Sequence, residues 1–397
     1  MRILYVTGDF PYPLTGGHLR HYHLIRELSR RHAITLISLV TAGFRPEHRE
    51  AVAPFTDGVF TFSWPGAGQR PTRKMIKALR LLAGGGPVAR ELQATVERLN
   101  SEKSFDVVVL VGKRMHWAAE RVARIPVVAD MCDTESSMVK ARMSHAALRD
   151  RPWLRLKQAY VRRLERELIA KASHILFASC RDREQLLPEP DARATVVPNG
   201  VDLAYWTRSR VEPDAKTIVF SGVMNYPQNE DAALQLIEEI LPRVRLAVPD
   251  CQLLIVGRDP TKRLCAAGER PGVTITGFVD DVRPYLEGAA VFAAPLRFAA
   301  GIQNKLLEAM AMELPVITSP LAVDGLRTDE GHRPPIEIAG DRAQFAEAIS
   351  RHLARNADAR LVGAEGRRFV ERHFSWRRSG EKLEEAVRAA TAGYRSR

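Results

Sequence analysis

The chain has 397 residues, of which 45% are apolar, and this composition excludes an intrinsically disordered protein because it can bury more than one hydrophobic core. Its four cysteines form no C-x-x-C pair, which argues against a disulfide framework or a thiolate zinc site and favours a reducing, cytoplasmic setting. The formal net charge is +12, and residues 1–200 hold 32 basic and 20 acidic side chains, so the entire excess lies in the first half.

Strand-like segments begin at the start of the chain. Met1 leads directly into an apolar run that resembles a buried strand and not a cleavable signal peptide. Continuous apolar runs indicate strands of a parallel sheet that are buried on both faces. The strands predicted in the first half are Arg2–Thr7, Ala33–Val40, Asp106–Val111, Pro126–Asp130 and Ser173–Ala178. No apolar run reaches about 18 residues, so we expect no membrane-spanning segment.

The same alternation of strands and helices restarts in the second half. It predicts two doubly wound α/β domains, residues 1–180 and 181–373, which face each other across a ligand-binding cleft. The tail, residues 374–397, is an amphipathic helix that we expect to join the first domain. The strands predicted in the second half are Thr217–Ser221, Gln252–Val256, Val273–Thr276, Ala290–Ala293 and Val316–Thr318, and the helices include Asp231–Ala247 and Ile302–Glu313.

The sharpest local pattern surrounds Gly301, where a strand is followed by a small-residue loop and a helix that begins near Ile302. The free amides of the first helical turn and the positive end of the helix dipole predict a seat for a pyrophosphate. Arg297 and Lys305 could neutralise its charge, and Glu308 could accept two hydrogen bonds from a ribose diol. The alternative is an ordinary helix start with Lys305 and Glu308 on a solvated face.

This segment resembles the donor-site motif of the retaining, GT-B-fold glycosyltransferases of family 4, in which the helix contains the sequence E-A-M-A. The resemblance covers essentially the whole chain and points to the bacterial exopolysaccharide-type sugar transferases. It implies two Rossmann-like domains and the transfer of a sugar from a nucleotide-sugar donor to a separate acceptor. The other motifs that carry it are Gly16-Gly17, Val197-Pro198-Asn199-Gly200-Val201-Asp202, Gly222-Val223-Met224, Gly277-Phe278-Val279, Gly301-Ile302-Gln303-Asn304-Lys305 and Pro315-Val316-Ile317.

The resemblance also implies roles for single residues. Glu308 would bind the ribose hydroxyls, Lys305 and Arg297 the pyrophosphate, and Phe278 with Val279 the base. Gly16 and Gly17 would cover the phosphates from the opposite domain. The full set implied to bind the donor is Gly16, Gly17, Gly222, Phe278, Val279, Gly301, Ile302, Gln303, Asn304, Lys305 and Glu308.

Two departures from the family pattern affect the donor side. In the family motif one glutamate follows another after seven residues; here Glu308 is the second, and Ala300 stands in the place of the first. This change leaves the selection of the sugar open, with Gln303 or Asn304 as candidate substitutes. The same change also favours the alternative that the protein is a catalytically inactive scaffold. The Arg/Lys pair that often follows the position of Gly222 is also absent, so the phosphate charge falls more heavily on the remaining cations and the helix terminus.

Polar residues that follow strand ends in the first half are candidates for the acceptor side. Asp133 and Lys113 each follow a predicted strand, and ligands of open α/β sheets bind at such carboxyl ends. We predict a catalytic role for Asp133 together with Arg297 and Lys305. The alternative for Asp133 is a simple helix cap.

The family resemblance implies retention of the anomeric configuration without a metal cofactor. No D-x-D motif appears, and His21 and His23 point to different faces of a helix, so we predict no metal site. Cationic side chains and a helix terminus can stabilise a departing diphosphate. UDP is the expected nucleotide, followed by GDP.

Two basic stretches, 70–82 and 140–171, account for the charge asymmetry and suit an anionic lipid surface. We therefore predict a cytoplasmic enzyme attached to the inner face of the membrane, beside a lipid-linked or polymeric glycan acceptor of cell-envelope or exopolysaccharide synthesis. A solvated arginine-rich surface without a partner would give the same charge pattern.

The sequence is also compatible with two functions outside sugar transfer. The protein could be a GT-B enzyme that is not a transferase, such as a UDP-sugar epimerase. It could also be a basic protein that binds nucleic acid. No zinc-finger, RRM-like or helix-turn-helix signature supports the second function, so we expect no nucleic-acid partner.

Overall fold

A computed structural model describes residues 1–14, 18–40, 43–63, 86–122, 125–209, 216–354 and 356–395. The predicted phosphate-covering residues Gly16 and Gly17 and the basic stretch 70–82 lie outside the described residues. In the described ranges, no helix combines the length and the apolar character that crossing a membrane requires.

Strands and helices alternate along most of the chain. The strands are β1 (Arg2–Thr7), β2 (Ala33–Val40), β3 (Gly58–Ser63), β4 (Val107–Val111), β5 (Val127–Asp130), β6 (His174–Phe177), β7 (Ala194–Val196), β8 (Thr217–Ser221), β9 (Gln252–Val256), β10 (Val273–Ile275), β11 (Val291–Ala294), β12 (Val316–Thr318) and β13 (Glu337–Ile338). The α-helices are α1 (His18–Ser29), α2 (Pro46–Glu50), α3 (Gly86–Lys103), α4 (His116–Arg121), α5 (Glu135–His145), α6 (Arg151–Lys171), α7 (Cys180–Leu186), α8 (Pro227–Gln235), α9 (Leu241–Val244), α10 (Lys262–Ala267), α11 (Arg283–Glu287), α12 (Asn304–Ala311), α13 (Pro320–Asp324), α14 (Arg342–Ala354), α15 (Asn356–His373) and α16 (Trp376–Arg395).

The first sheet is parallel, with strand order β3-β2-β1-β4-β5-β6-β7. Successive side chains of β1 enter the cores on opposite faces: Leu4 and Val6 on one, Ile3 and Tyr5 on the other. This is why the strand is apolar throughout instead of alternating.

The second sheet is also parallel, with order β10-β9-β8-β11-β12-β13, and encloses its own core. Side chains of β8 are buried along the whole strand. The predicted fold class, two doubly wound α/β units, is confirmed.

Three strands escaped prediction, and all three lie at sheet edges. β3 is only partly buried, while β7 and β13 have three and two residues. Because β7 completes the first sheet, the first unit extends past the predicted limit at residue 180. The predicted helix Asp231–Ala247 is instead divided into α8, a π-helical turn at Leu236–Ile240, and α9.

The C-terminal helix α16 crosses back to the first unit. Leu383 and Val387 of α16 lie in the same core as Leu24 of α1 and Ile3 of β1. The chain therefore passes twice between the two sheets.

Candidate active site

Lys305 occupies the first turn of α12, which begins at Asn304, later than the predicted start at Ile302. The preceding Gln303 is extended, and its side-chain amide donates to the carbonyl of Ala300 at 2.9 Å. The Lys305 Nζ donates to Oδ1 of Asn229 and lies 4.6 Å from the centre of a phenyl ring, that of Phe220 on β8. An amide oxygen and an aromatic face therefore hold a cation that is half-buried.

Glu308 lies one helical turn after Lys305 and is also half-buried. Burial lowers the pKa of Lys305 to about 7, against the opposing effect of the Glu308 charge. Burial raises the pKa of Glu308 to about 7, against the opposing effect of Lys305. An anion placed beside Lys305 would favour its protonated form, because a nearby opposite charge stabilises a cation.

Gly222, directly after β8, makes room for this cation. A Cβ at Gly222 would lie 2.9 Å from Nζ of Lys305 and 2.7 Å from Nδ2 of Asn229. The structure thus brings together Gly222, Lys305 and the neighbouring Glu308 of the predicted donor residues. Asn229 was not predicted. Its place shortly after the end of β8, where α/β folds bind ligands, is the signal that could have identified it.

The Gly301 loop meets the first domain at Asp133. Gly301 has a φ of +63°, and a Cβ there would lie 3.3 Å from Cβ of Asp133. The Asp133 carboxylate accepts a hydrogen bond from Nζ of Lys113 at 2.6 Å. Burial by itself would lower the pKa of Lys113, but the charges of Asp133 and Glu135 outweigh it and raise the pKa. Thr134 holds the N-cap position of α5, so Asp133 is not the cap of that helix.

Arg181, in the first turn of α7, also connects the domains. This buried guanidinium donates to the carbonyl of Gly301 at 3.2 Å and to that of Leu321 at 2.7 Å. It therefore fixes the glycine loop from the side of the first domain. No local pattern around Arg181 marks this role, because its partners lie more than a hundred residues away in sequence.

A second buried arginine starts a polar chain that ends at α12. Arg20 donates to Asp130 at 2.9 Å, to the carbonyl of Val197 at 2.8 Å and to Oδ1 of Asn199 at 2.9 Å. Nδ2 of Asn199 donates in turn to Oδ1 of Asn304 at 2.8 Å. The helix that carries Lys305 is thereby tied to the first sheet.

Arg297 lies elsewhere than expected. Its guanidinium forms a two-point ion pair with Asp231, at 2.9 Å for Nε, and this hydrogen bonding raises its pKa. Asp231 and Asn229 are two residues apart on α8 and so point about 200° apart around the helix. The structure therefore does not bring Arg297 to Lys305, and the expectation that both flank one phosphate is not met in this arrangement.

Of the other predicted donor residues, Phe278 is exposed to solvent, whereas Val279 and Ile302 pack in the second core. Phe278 follows Gly277, which has a φ of +69°, in the turn after β10, and its ring is 71% exposed. Val279 packs partly against the second core, which also contains Ile302. The exposed side chain of Phe278 is open to a nucleotide base.

Comparison with known proteins identifies the family. Residues 15–200 match the Glycosyl transferase 4-like domain, and residues 215–355 match the model named Glycosyl transferases group 1. The chain is 30% identical over 318 residues to a phosphatidyl-myo-inositol mannosyltransferase of Mycobacterium leprae, across 73% of this chain and 76% of that protein.

Solved structures share the architecture. A sucrose-phosphate synthase from Thermosynechococcus elongatus superposes with a TM-score of 0.73 at 15% identity, covering 99% of this chain and 100% of that one. The Anabaena protein HepE, in complex with UDP, gives 0.67 at 12% identity, covering 98% and 100%. Identities this low show the fold alone. The sequence matches favour a transferase over an epimerase or a nucleic-acid-binding protein: the chain is a glycosyltransferase and belongs to family 4 of the GT-B fold, as its motifs predicted.

Proposed function

We propose that the enzyme transfers a sugar from a UDP-sugar to a hydroxyl of a glycan or lipid-linked acceptor in cell-envelope or exopolysaccharide synthesis, with retention and without a metal ion. The observation that carries the proposal is the meeting of Lys305, Glu308 and Gly222 at the end of β8, on the domain whose Gly301 loop contacts Asp133. The UDP bound by HepE supports the choice of base.

The chain supplies groups for each part of such a reaction. Lys305 and the first amides of α12 would neutralise the departing diphosphate. The acceptor hydroxyl would attack on the face that the leaving group vacates, and the leaving phosphate would help to take its proton. Asp133, held by Lys113 across from Gly301, would accept hydrogen bonds from the sugar or the acceptor.

A calorimetric screen of UDP, GDP, ADP and their sugar conjugates tests the proposal. We expect UDP and one UDP-sugar to bind with and without EDTA, and NMR of the product to show the anomeric configuration of the donor. Binding of GDP alone would exclude UDP as the donor nucleotide. An inverted product, or turnover abolished by EDTA, would contradict the mechanism.

The affinity for UDP should be greatest near pH 7. Lys305 loses its proton above its pKa of about 7, which removes the cation, and Glu308 gains a proton below its pKa of about 7, which removes the carboxylate. Calorimetry in buffers of different ionisation enthalpy should show proton uptake by the complex on the alkaline side. Lys305→Met should abolish the alkaline fall in affinity, and a flat profile for the wild type would contradict the assignment.

Binding to anionic vesicles is expected from the exposed side of α6. Arg155, Arg162 and Arg166 lie along one exposed face, and Leu156 beside them is 64% exposed. Each arginine near an anionic surface contributes about 1 kcal/mol, so replacing all three with glutamine should weaken binding on the order of a hundredfold. Sedimentation with phosphatidylglycerol and phosphatidylcholine vesicles measures this. Equal, negligible binding to both would end the membrane hypothesis.

A further inference from the structure

A cavity of about 700 Å³ opens between the two domains, apart from the donor residues. One wall comes from the end of α5, the start of α6 and the segment between them; the other comes from α8, the π-helical turn and the segment containing Arg297 and Phe298. None of Gly222, Lys305 and Glu308 is among its described lining residues. Its volume is in the range of sites that bind small molecules.

The chemistry of the lining suits a polyhydroxylated, neutral ligand. Five basic and five acidic side chains face the cavity, so it offers many hydrogen-bond donors and acceptors without a net charge of either sign. Trp153 lines the same space and is 66% exposed, which leaves a flat aromatic face available to the C–H groups of a sugar ring. The charged lining residues are Arg142, Arg149, Asp150, Lys157, Glu230, Asp231, Glu238, Glu239, Arg263 and Arg297.

The two walls also meet through an aromatic contact. The ring of His145, at the end of α5, stacks on Phe298 with centroids 6.4 Å apart. Phe298 precedes the Gly301 loop in sequence, so one edge of the cavity is formed by the segment that leads to the donor loop.

A row of ion pairs connects the cavity to the position of transfer. Lys157 of the lining lies 3.0 Å from Glu135, and Glu135 lies 3.7 Å from Lys113. Lys113 in turn binds Asp133 at 2.6 Å, and Asp133 faces Gly301. Two side chains, Glu135 and Lys113, therefore separate the cavity residue Lys157 from Asp133, beside which the transferred sugar would lie.

We propose that this cavity binds a neutral oligosaccharide portion of the acceptor, with one sugar ring stacked on Trp153. The inference rests on the proposed function and assigns the acceptor its chemical class. The balance of charge distinguishes this ligand from a phosphate- or carboxylate-rich glycan, for which the lining offers no excess of positive charge.

The test compares Trp153→Ala with Leu156→Ala. Leu156 lies on the same helix with a similar exposed fraction, 64%, but does not line the cavity, so it is a matched control. Calorimetry at millimolar concentrations measures the binding of cellotriose and maltotriose as neutral probes and of trigalacturonate as an anionic probe. The same preparations are titrated with UDP, which tests the donor site separately.

We expect a neutral trisaccharide to bind the wild-type protein, with about tenfold weaker binding by Trp153→Ala and partial recovery in Trp153→Phe, since a stacked aromatic residue is a typical binding hot spot. Leu156→Ala should bind the trisaccharide like the wild type, and UDP affinity should be the same in all variants. Unchanged trisaccharide binding by Trp153→Ala, no binding of either neutral sugar, or a preference for trigalacturonate would overturn the inference. If the wild-type protein binds a neutral trisaccharide but not UDP, the result would instead count against the assignment of the donor site.

Discussion

Glu308→Ala is expected to weaken UDP binding about a hundredfold or more while the protein remains folded. Two hydrogen bonds from a ribose diol to a charged carboxylate contribute about 1.5–3 kcal/mol each, and every 1.4 kcal/mol corresponds to a factor of ten. Folding should be preserved because burial raises the pKa of Glu308 to about 7, so above its ordinary pKa its ionised form costs the folded state free energy. Calorimetry and thermal unfolding at pH 8 measure the two effects.

A cycle with 2′-deoxy-UDP separates ribose binding from a general electrostatic effect. If the carboxylate binds the diol, removing the 2′-hydroxyl should weaken binding to the wild type but have little further effect on Glu308→Ala. Glu347→Ala, which removes an exposed carboxylate from α14 of the same domain, is the control and should bind UDP normally. If Glu308→Ala binds UDP as the wild type does, the donor-site assignment is wrong.

Asp130→Asn should lower the free energy of unfolding by about 3–5 kcal/mol, because it leaves the buried guanidinium of Arg20 without its ionic partner. Asp130 is fully buried, and Arg20 is 3% exposed. Although burial opposes ionisation, Arg20 holds the pKa of Asp130 below its ordinary value. The stabilisation is therefore present above the unfolded-state pKa of about 4 and is lost as the pH falls through the folded-state pKa.

Urea unfolding followed by circular dichroism and intrinsic fluorescence measures this loss. The exposed pair Arg98–Glu102, at 3.0 Å with both side chains about half exposed, provides the comparison. Glu102→Gln should change stability by no more than about 0.5 kcal/mol, since solvent screens such pairs. Replacing both buried partners, in Arg20→Met with Asp130→Leu, should restore part of the stability. A loss in Asp130→Asn no larger than that in Glu102→Gln would show that the buried pair contributes little.

The strands were predictable where burial is complete on both faces. Arg2–Thr7 and Thr217–Ser221 were predicted with their observed ends, because a strand covered by helices on both sides must be apolar throughout. Edge strands such as β3 and β13 carry a weaker pattern, and their pairing depends on a neighbour that folds beside them. The motif that contains Lys305 and Glu308 was likewise visible, because the two lie one helical turn apart.

The sequence by itself indicated the two α/β domains, because their strands are short apolar runs. The family and the donor candidates came from motifs that resemble those of known glycosyltransferases. The tertiary structure alone decided the partners of the charged groups. Arg297 pairs with Asp231, Arg20 with Asp130, and Asp133 faces Gly301. The physical reason is that each pair joins segments that are far apart in sequence and meet only in the folded protein, and the strength of a charge interaction depends on distance and burial that no local pattern encodes.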